Sequence, residues 1–153
     1  MIVSELEIAH GPYLISTDRD RVDLDTVHRY LSEESYWARG RAKDVQRRAI
    51  EMSPVVIGAY FEDRQVGFAR MVTDFAAFGY LCDVFVLSNH QGSGLGTAMV
   101  KAIVEHPDVI ELQWQLLATD DAHGLYSKFG YTPLVEVTRW MLRSRSSVHV
   151  HGV

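Results

Sequence analysis

The chain has 153 residues, is 47% hydrophobic, carries a formal net charge of −5 and contains one cysteine. That length builds one compact core and falls short of two ordinary domains, while the acidic balance argues against a nucleic-acid partner, whose affinity rests on Lys and Arg neutralising phosphates. Cys82 alone excludes an intramolecular disulfide and fits a reducing compartment; with Glu5, Glu7 and His10 where a signal peptide would be apolar, and no apolar run of about 18 residues, the expectation is a cytoplasmic protein without a membrane partner.

In chain order, residues 13–17 read as a short strand, and the aspartates of 18–25 offer caps for a helix carrying Val27, Tyr30 and Leu31. A second helix is predicted over 42–52, with Val45, Ala49 and Ile50 on its buried face and Pro54 as its stop. Runs 55–61 and 65–73 are strand-like and joined by Glu62-Asp63-Arg64, a hairpin-length connection. Another strand spans 80–87, and a glycine-dense turn then leads into a helix that ends near His106-Pro107. Residues 111–119 alternate Leu112, Trp114 and Leu116 with polar partners, as a half-buried strand does. Asp120 or Asp121 is placed to cap a short helix ended by Gly130, and a last β segment is expected over 135–142. The order is β-α-α-β-β-β-α-β-α-β, an α/β (α+β) domain with a core of about 13–142 and a polar tail of 143–153. His149 and His151 lie in that tail without a carboxylate or cysteine to complete a site, and no HExxH or paired CxxC pattern occurs, so no metal is expected.

The turn after the 80–87 strand, Gln91-Gly92-Ser93-Gly94-Leu95-Gly96, holds three glycines in five residues. They permit positive φ and let successive N–H groups converge on a phosphate at the positive end of the next helix. A dinucleotide fingerprint would need glycine at position 97, which is Thr97, and a P-loop would need Gly-Lys-Ser/Thr, which is absent. The loop matches Q/R-x-x-G-x-G/A and resembles the coenzyme A signature of the GNAT acetyltransferases. A second stretch, Ala122 to Tyr131 with the sequence AHGLYSKFGY, resembles the family's later helix with its Y-x-K-x-G-F/Y element.

The resemblance implies a mixed central β-sheet flanked by helices and acetyl-CoA as acyl donor. It implies that Gln91, Gly92, Ser93, Gly94, Leu95, Gly96 and Thr97 hold the pyrophosphate. Val84, Phe85 and Val86 would pair through their main chain with the pantetheine arm, where their strand parts from the next. Tyr126 matches the tyrosine near the cofactor sulfur; with an ordinary pKa of about 10 it keeps its proton at neutral pH and can serve the departing thiolate as general acid. The chain departs from the commonest pattern at Gln91, where arginine is more frequent, and at Ser88-Asn89-His90.

A primary amine of pKa about 10.4 arrives protonated, so a proton acceptor is needed. Asp83, among apolar neighbours in mid-strand, is a candidate base, directly or through water, and equally a salt-bridge partner for Arg70 on the adjacent strand. Asp74 and Glu34 are weaker candidates. Tyr36 and Trp37 could box the acceptor amine, or Arg39 and Arg41 could hold its carboxylate. Cys82, in a hydrophobic strand, is read as inert core. These residues lead to an N-acetyltransferase acting on a small-molecule or peptide amine by direct attack; the alternative is a non-catalytic acetyl-CoA sensor or partner module. A homodimer through the aromatic-rich segment around Trp140 is compatible with either.

Overall fold

In the computed structural model, residues 3–145 are described. Six strands form one mixed sheet in sequential order: β1 (Glu7–His10), β2 (Tyr13–Ser16), β3 (Val55–Phe61), β4 (Arg64–Thr73), β5 (Phe78–Val86) and β6 (Trp114–Leu116). Neighbours are antiparallel except β5 and β6, which run parallel. The helices are α1 (Leu24–Arg29), extended by a wider π-type turn at Tyr30–Glu34, then α2 (Lys43–Glu51), α3 (Leu95–Val104) and α4 (His123–Ser127).

Strand alternation assigns two cores to the two faces of this sheet. From β3 and β4, Val55, Ile57, Ala59, Ala69 and Met71 pack with Leu95, Met99, Val100 and Ile103 of α3. The intervening Val56 and Phe68 face the other way, onto Val27, Leu31 and Ile50 of the first two helices. Helix α1 starts where Asp23 Oδ1 accepts from the amides of Asp25 and Thr26, at 3.0 and 3.2 Å, as an N-cap carboxylate does. Met52 and Ser53 end α2 before Pro54.

Four features differ from the sequence reading. Residues 7–10, polar enough to pass for a lead-in, form β1 by pairing with β2 across the turn at Gly11, whose φ is +53°. Helix α2 is rotated from its apparent apolar stripe: Val45 is 53% exposed, while Gln46 is fully buried beside Ile50. Gln46 is drawn inward because its Oε1 accepts from Arg41 Nη1 at 2.8 Å. Neither Asp120 nor Asp121 caps α4, whose N-cap is Ala122 with no side-chain cap; the Ala122 amide donates to Thr119 Oγ1. The β segment expected over 135–142 is absent; a 3-10 turn at Val137–Arg139 occupies its middle. His149 and His151 lie outside the described residues.

Candidate active site

The site is founded on an irregularity in β5. Phe68 of β4 faces Phe85, but Arg70 faces Cys82, so Asp83 and Val84 together oppose Ala69. This is a β-bulge, which bends and twists its strand. Asp83 takes the left-handed φ of +54° to make it, a conformation that costs about 1 kcal/mol or more for a residue with a Cβ. Just before the bulge the parallel ladder to β6 stops: its register covers Phe78–Tyr80 against Trp114–Leu116 and goes no further. Past that point no ladder joins β5 to the chain after Leu116, and Val84, Phe85 and Val86 lie on the stretch of β5 beyond it.

At the end of β5 lies the glycine loop. Gly92 and Gly94 have φ of +81° and +77°, which glycine adopts at no steric cost. Gly94 is the N-cap of α3 and brings no side chain to cap it, so the first amides of a ten-residue helix are left to an outside acceptor. The loop's own polar side chains turn back onto its backbone. Gln91 Nε2 donates to the Val86 carbonyl at 2.9 Å, and Ser93 Oγ to the His90 carbonyl at 2.9 Å. What the loop presents at the start of α3 is thus main-chain amides, a donor set that suits an anion.

The N-terminal hairpin braces this loop. His10 Nε2–H donates to the Ser93 carbonyl at 2.9 Å, and the Tyr13 hydroxyl shares a 3.1 Å hydrogen bond with His90 Nδ1. Neither pair was legible in the sequence, because 83 and 77 residues separate the partners and no local pattern links them.

Tyr126 is buried in the α3-side core with Val86, Leu95 and Met99. Its ring meets Tyr131 edge-on, 6.0 Å between centroids, and the Tyr131 hydroxyl donates to Gln115 Oε1 at 2.9 Å. Burial pushes the Tyr126 phenol up to about 12, with Tyr36 and Asp121 adding to the rise. Cys82 is likewise raised to about 12 by burial, which keeps it a thiol and fits an inert core residue.

Asp83 sits on the opposite face. Its side chain is fully buried, and both oxygens are engaged: Oδ2 accepts from Arg70 Nε at 2.7 Å and Arg41 Nη1 at 2.9 Å, and Oδ1 from Trp37 Nε1 at 3.2 Å. Burial alone would raise its pKa, but Arg70 and Arg41 outweigh that and hold it below the usual carboxylate range. The ion pair with Arg70 read from the sequence is therefore present, and Arg41 and Trp37 complete a clasp. Arg41 spends its guanidinium on Asp83 and Gln46. Asp74, just past the end of β4, organises the β4–β5 turn by accepting from the amides of Ala76, Ala77 and Phe78. Those bonds pull it down to about 2, below the usual carboxylate range.

Around the mouth, Tyr30 stacks on Phe85 at 4.1 Å and 11°. Glu34 and Asp121 lie near enough for their charges, after burial, to raise the Tyr30 pKa. Tyr36 accepts from the Asp120 amide at 2.8 Å, tying the first helical hairpin to the segment before α4. Tyr36 and Trp37 meet edge-on, 80° between planes, and do not form a parallel box. No group of three or more His, Cys, Asp or Glu side chains able to hold a metal occurs among the described residues, and no helix among them is long and apolar enough to cross a membrane.

A family model for the acetyltransferase (GNAT) domain matches residues 53–133. The Gibberella zeae protein named "Putative acetyltransferase FG08082" is 34% identical, over 77% of this chain and 77% of its own. The crystal structure of a GNAT-family protein from Xanthomonas campestris pv. campestris superposes with a TM-score of 0.84 at 40% identity, covering 89% of this chain and 95% of that one. A GNAT-family acetyltransferase from Brucella melitensis, solved in complex with acetyl-CoA, shares the fold at a TM-score of 0.63 and 15% identity, over 81% and 84% of the two chains.

Proposed function

The chain belongs to the GNAT acetyltransferases, and from that premise we propose that it transfers the acetyl group of acetyl-CoA to a primary amine by direct attack, with Tyr126 serving the departing thiolate. The observation that carries this reading is the break in the β5–β6 ladder after Tyr80 and Leu116, flanked by the uncapped start of α3. The break leaves room for an extended arm to add main-chain hydrogen bonds beside Val84–Val86, and α3 offers its amides to phosphate at one end.

Bound acetyl-CoA supplies an activated acetyl thioester. The residues of this chain then divide the work. Gly92 to Thr97 hold the diphosphate through backbone N–H groups and the α3 dipole. Tyr126, with a phenol pKa of about 12, stays protonated at every working pH and donates a hydrogen bond to sulfur as negative charge gathers there. Full proton transfer to a thiolate whose thiol pKa is about 8.5 runs uphill, so the donated bond is the main contribution and solvent finally supplies the proton. Glu34 and Asp121 make the mouth acidic, which favours arrival of a cationic ammonium. Asp83 had two candidate roles, a base or a partner for Arg70. Its depressed pKa and full set of donors make it a weak proton acceptor, and we assign it to positioning the bulge; the ammonium proton leaves through water at the acidic mouth.

Two measurements test the reading. Acetyl-CoA at about 100 times its Kd adds roughly 2.7 kcal/mol, a rise of several degrees in the unfolding midpoint for a domain of this size, which ATP and NADH at equal concentration should not reproduce. Tyr126→Phe should bind acetyl-CoA normally and lose about 10²-fold or more in kcat. Unchanged turnover in that variant would remove Tyr126 from the chemistry. No acetyl-CoA-specific rise at millimolar ligand would remove the donor itself.

A further inference from the structure

The clasp around Asp83 is out of balance. Two guanidiniums, those of Arg41 and Arg70, share its one carboxylate, and the three side chains are 15%, 7% and 0% exposed in that order. Among the described residues no other carboxylate pairs with either arginine, and a poorly solvated cation without its own counter-ion is costly. Donors are in surplus as well. Arg41 reaches both Asp83 and Gln46 through the single nitrogen Nη1, so Nη2 is engaged by neither. Gln46 is fully buried, and its Nε2 has no hydrogen-bond partner. Turning the carboxamide over does not help, because only its oxygen can accept from Arg41. Each shortfall is of the same kind: the cluster lacks a negative charge and an acceptor.

The surroundings say what would carry that charge. Asp83 precedes Val84, where the β5–β6 ladder has ended. Arg70 and Val72 share a face of β4, with Cys82 and Tyr80 directly opposite them on β5. On this face Val72 is 42% exposed and Phe78, two residues before Tyr80, is 38% exposed, an apolar surface beside the arginines. Trp37 holds Asp83 through Nε1, and the neighbouring Tyr36 hydroxyl accepts from the Asp120 amide, which ties the clasp to the acidic mouth of Glu34 and Asp121. An acidic, a cationic and an apolar surface thus adjoin, and the ammonium, carboxylate and side chain of an amino acid match them one for one.

We propose that the acceptor is an α-amino acid with an apolar side chain, its carboxylate bound against Arg41 and Arg70 and its side chain laid on Val72 and Phe78. Guanidinium N–H groups donate to such a carboxylate in charge-assisted bonds, and the ligand brings the charge that Asp83 alone does not supply. The inference rests on the acetyl-transfer reading for the role of the site but not for the binding itself.

Calorimetry on the cofactor-free chain tests it with L-leucine and L-leucinamide, which share amine and side chain and differ at the carboxylate. Leucine should bind about tenfold or more tighter, the scale of a charge-assisted hydrogen bond, and thiol release from acetyl-CoA should rank the two in the same order. Gln46→Glu builds a carboxylate into the cluster, so it should raise the unfolding midpoint and bring the two ligands near parity. Gln46→Leu removes the unpartnered donor without adding charge and should keep the preference for leucine. Equal affinity for leucine and its amide overturns the proposal, as does a Gln46→Glu variant with the full preference. If sodium chloride displaced leucine and raised the midpoint as much, the cluster would be a halide site and the substrate assignment would fall. An acetyl-CoA midpoint rise without leucine binding overturns this inference alone, whereas leucine binding without that rise keeps the amino-acid site and removes the transfer reading.

Discussion

The donor and acceptor halves of the site we propose are built by different means. On the donor side, the end of β5, the glycine loop and the start of α3 are contiguous in sequence, and what they offer is backbone: amides freed by positive φ at Gly92 and Gly94, with Gln91 and Ser93 turned inward to support them. On the acceptor side, Trp37, Arg41, Arg70 and Asp83 come from three separate stretches and meet through side chains. A backbone site tolerates side-chain change but not loss of its special dihedrals; a buried charge clasp has the opposite sensitivity. Substitutions in each half should therefore fail in different ways.

The largest effect is expected at the clasp. Asp83→Asn keeps the shape and leaves Arg70 and Arg41 without their shared counter-charge in a buried place, a type of loss that costs about 3–5 kcal/mol. The unfolding midpoint should fall by roughly 10 °C. The pH dependence has a definite sign. Asp83 has a folded pKa below its unfolded value, so its contribution is present above about pH 4 and fades as pH falls through the folded pKa. The gap between wild type and variant should accordingly narrow in acid. A midpoint within about 2 °C of wild type at pH 7 would show that the clasp contributes little.

At the loop the expected loss is smaller and of another kind. Gly94→Val places a β-branched side chain at φ +77°, which costs about 1–2 kcal/mol, and its Cβ would lie 3.5 Å from His10 Nε2. The loop should relax out of its anion-binding shape while the cores stay intact. Calorimetry should find acetyl-CoA affinity down by about tenfold, with the ligand-free midpoint only a few degrees lower. Unaltered affinity would mean that phosphate is held elsewhere.

This division also explains what the sequence disclosed. The glycine loop, α3 and the strand before them were legible because their signals are local: apolar alternation, then positive-φ residues, then a helical pattern. The Asp83–Arg70 pair was legible because adjacent antiparallel strands constrain who can face whom. Arg41 and Trp37 were not, since 42 and 46 residues separate them from Asp83, and the inward rotation of α2 toward Gln46 follows only once that clasp exists. The 135–142 segment shows the converse. Its composition favours a strand, but strand formation needs an edge to pair with, and composition does not supply one.

The smallest effect probes a place where a distant side chain serves the backbone-built half. His10 reaches the glycine loop from the N-terminal hairpin and bonds the Ser93 carbonyl, next to the residue that caps α3. A single exposed hydrogen bond contributes about 0.5–1.5 kcal/mol, and here it restrains a loop whose order matters for binding more than for the core. His10→Ala should raise the Kd for acetyl-CoA by about two- to tenfold and leave kcat and the KM for the amine unchanged. If KM for both substrates rose together, the hairpin would be supporting the whole wedge, and the separation between donor and acceptor halves would not extend to their scaffolds. If neither moved, the dihedrals of Gly92 and Gly94 alone would suffice to hold the cradle open.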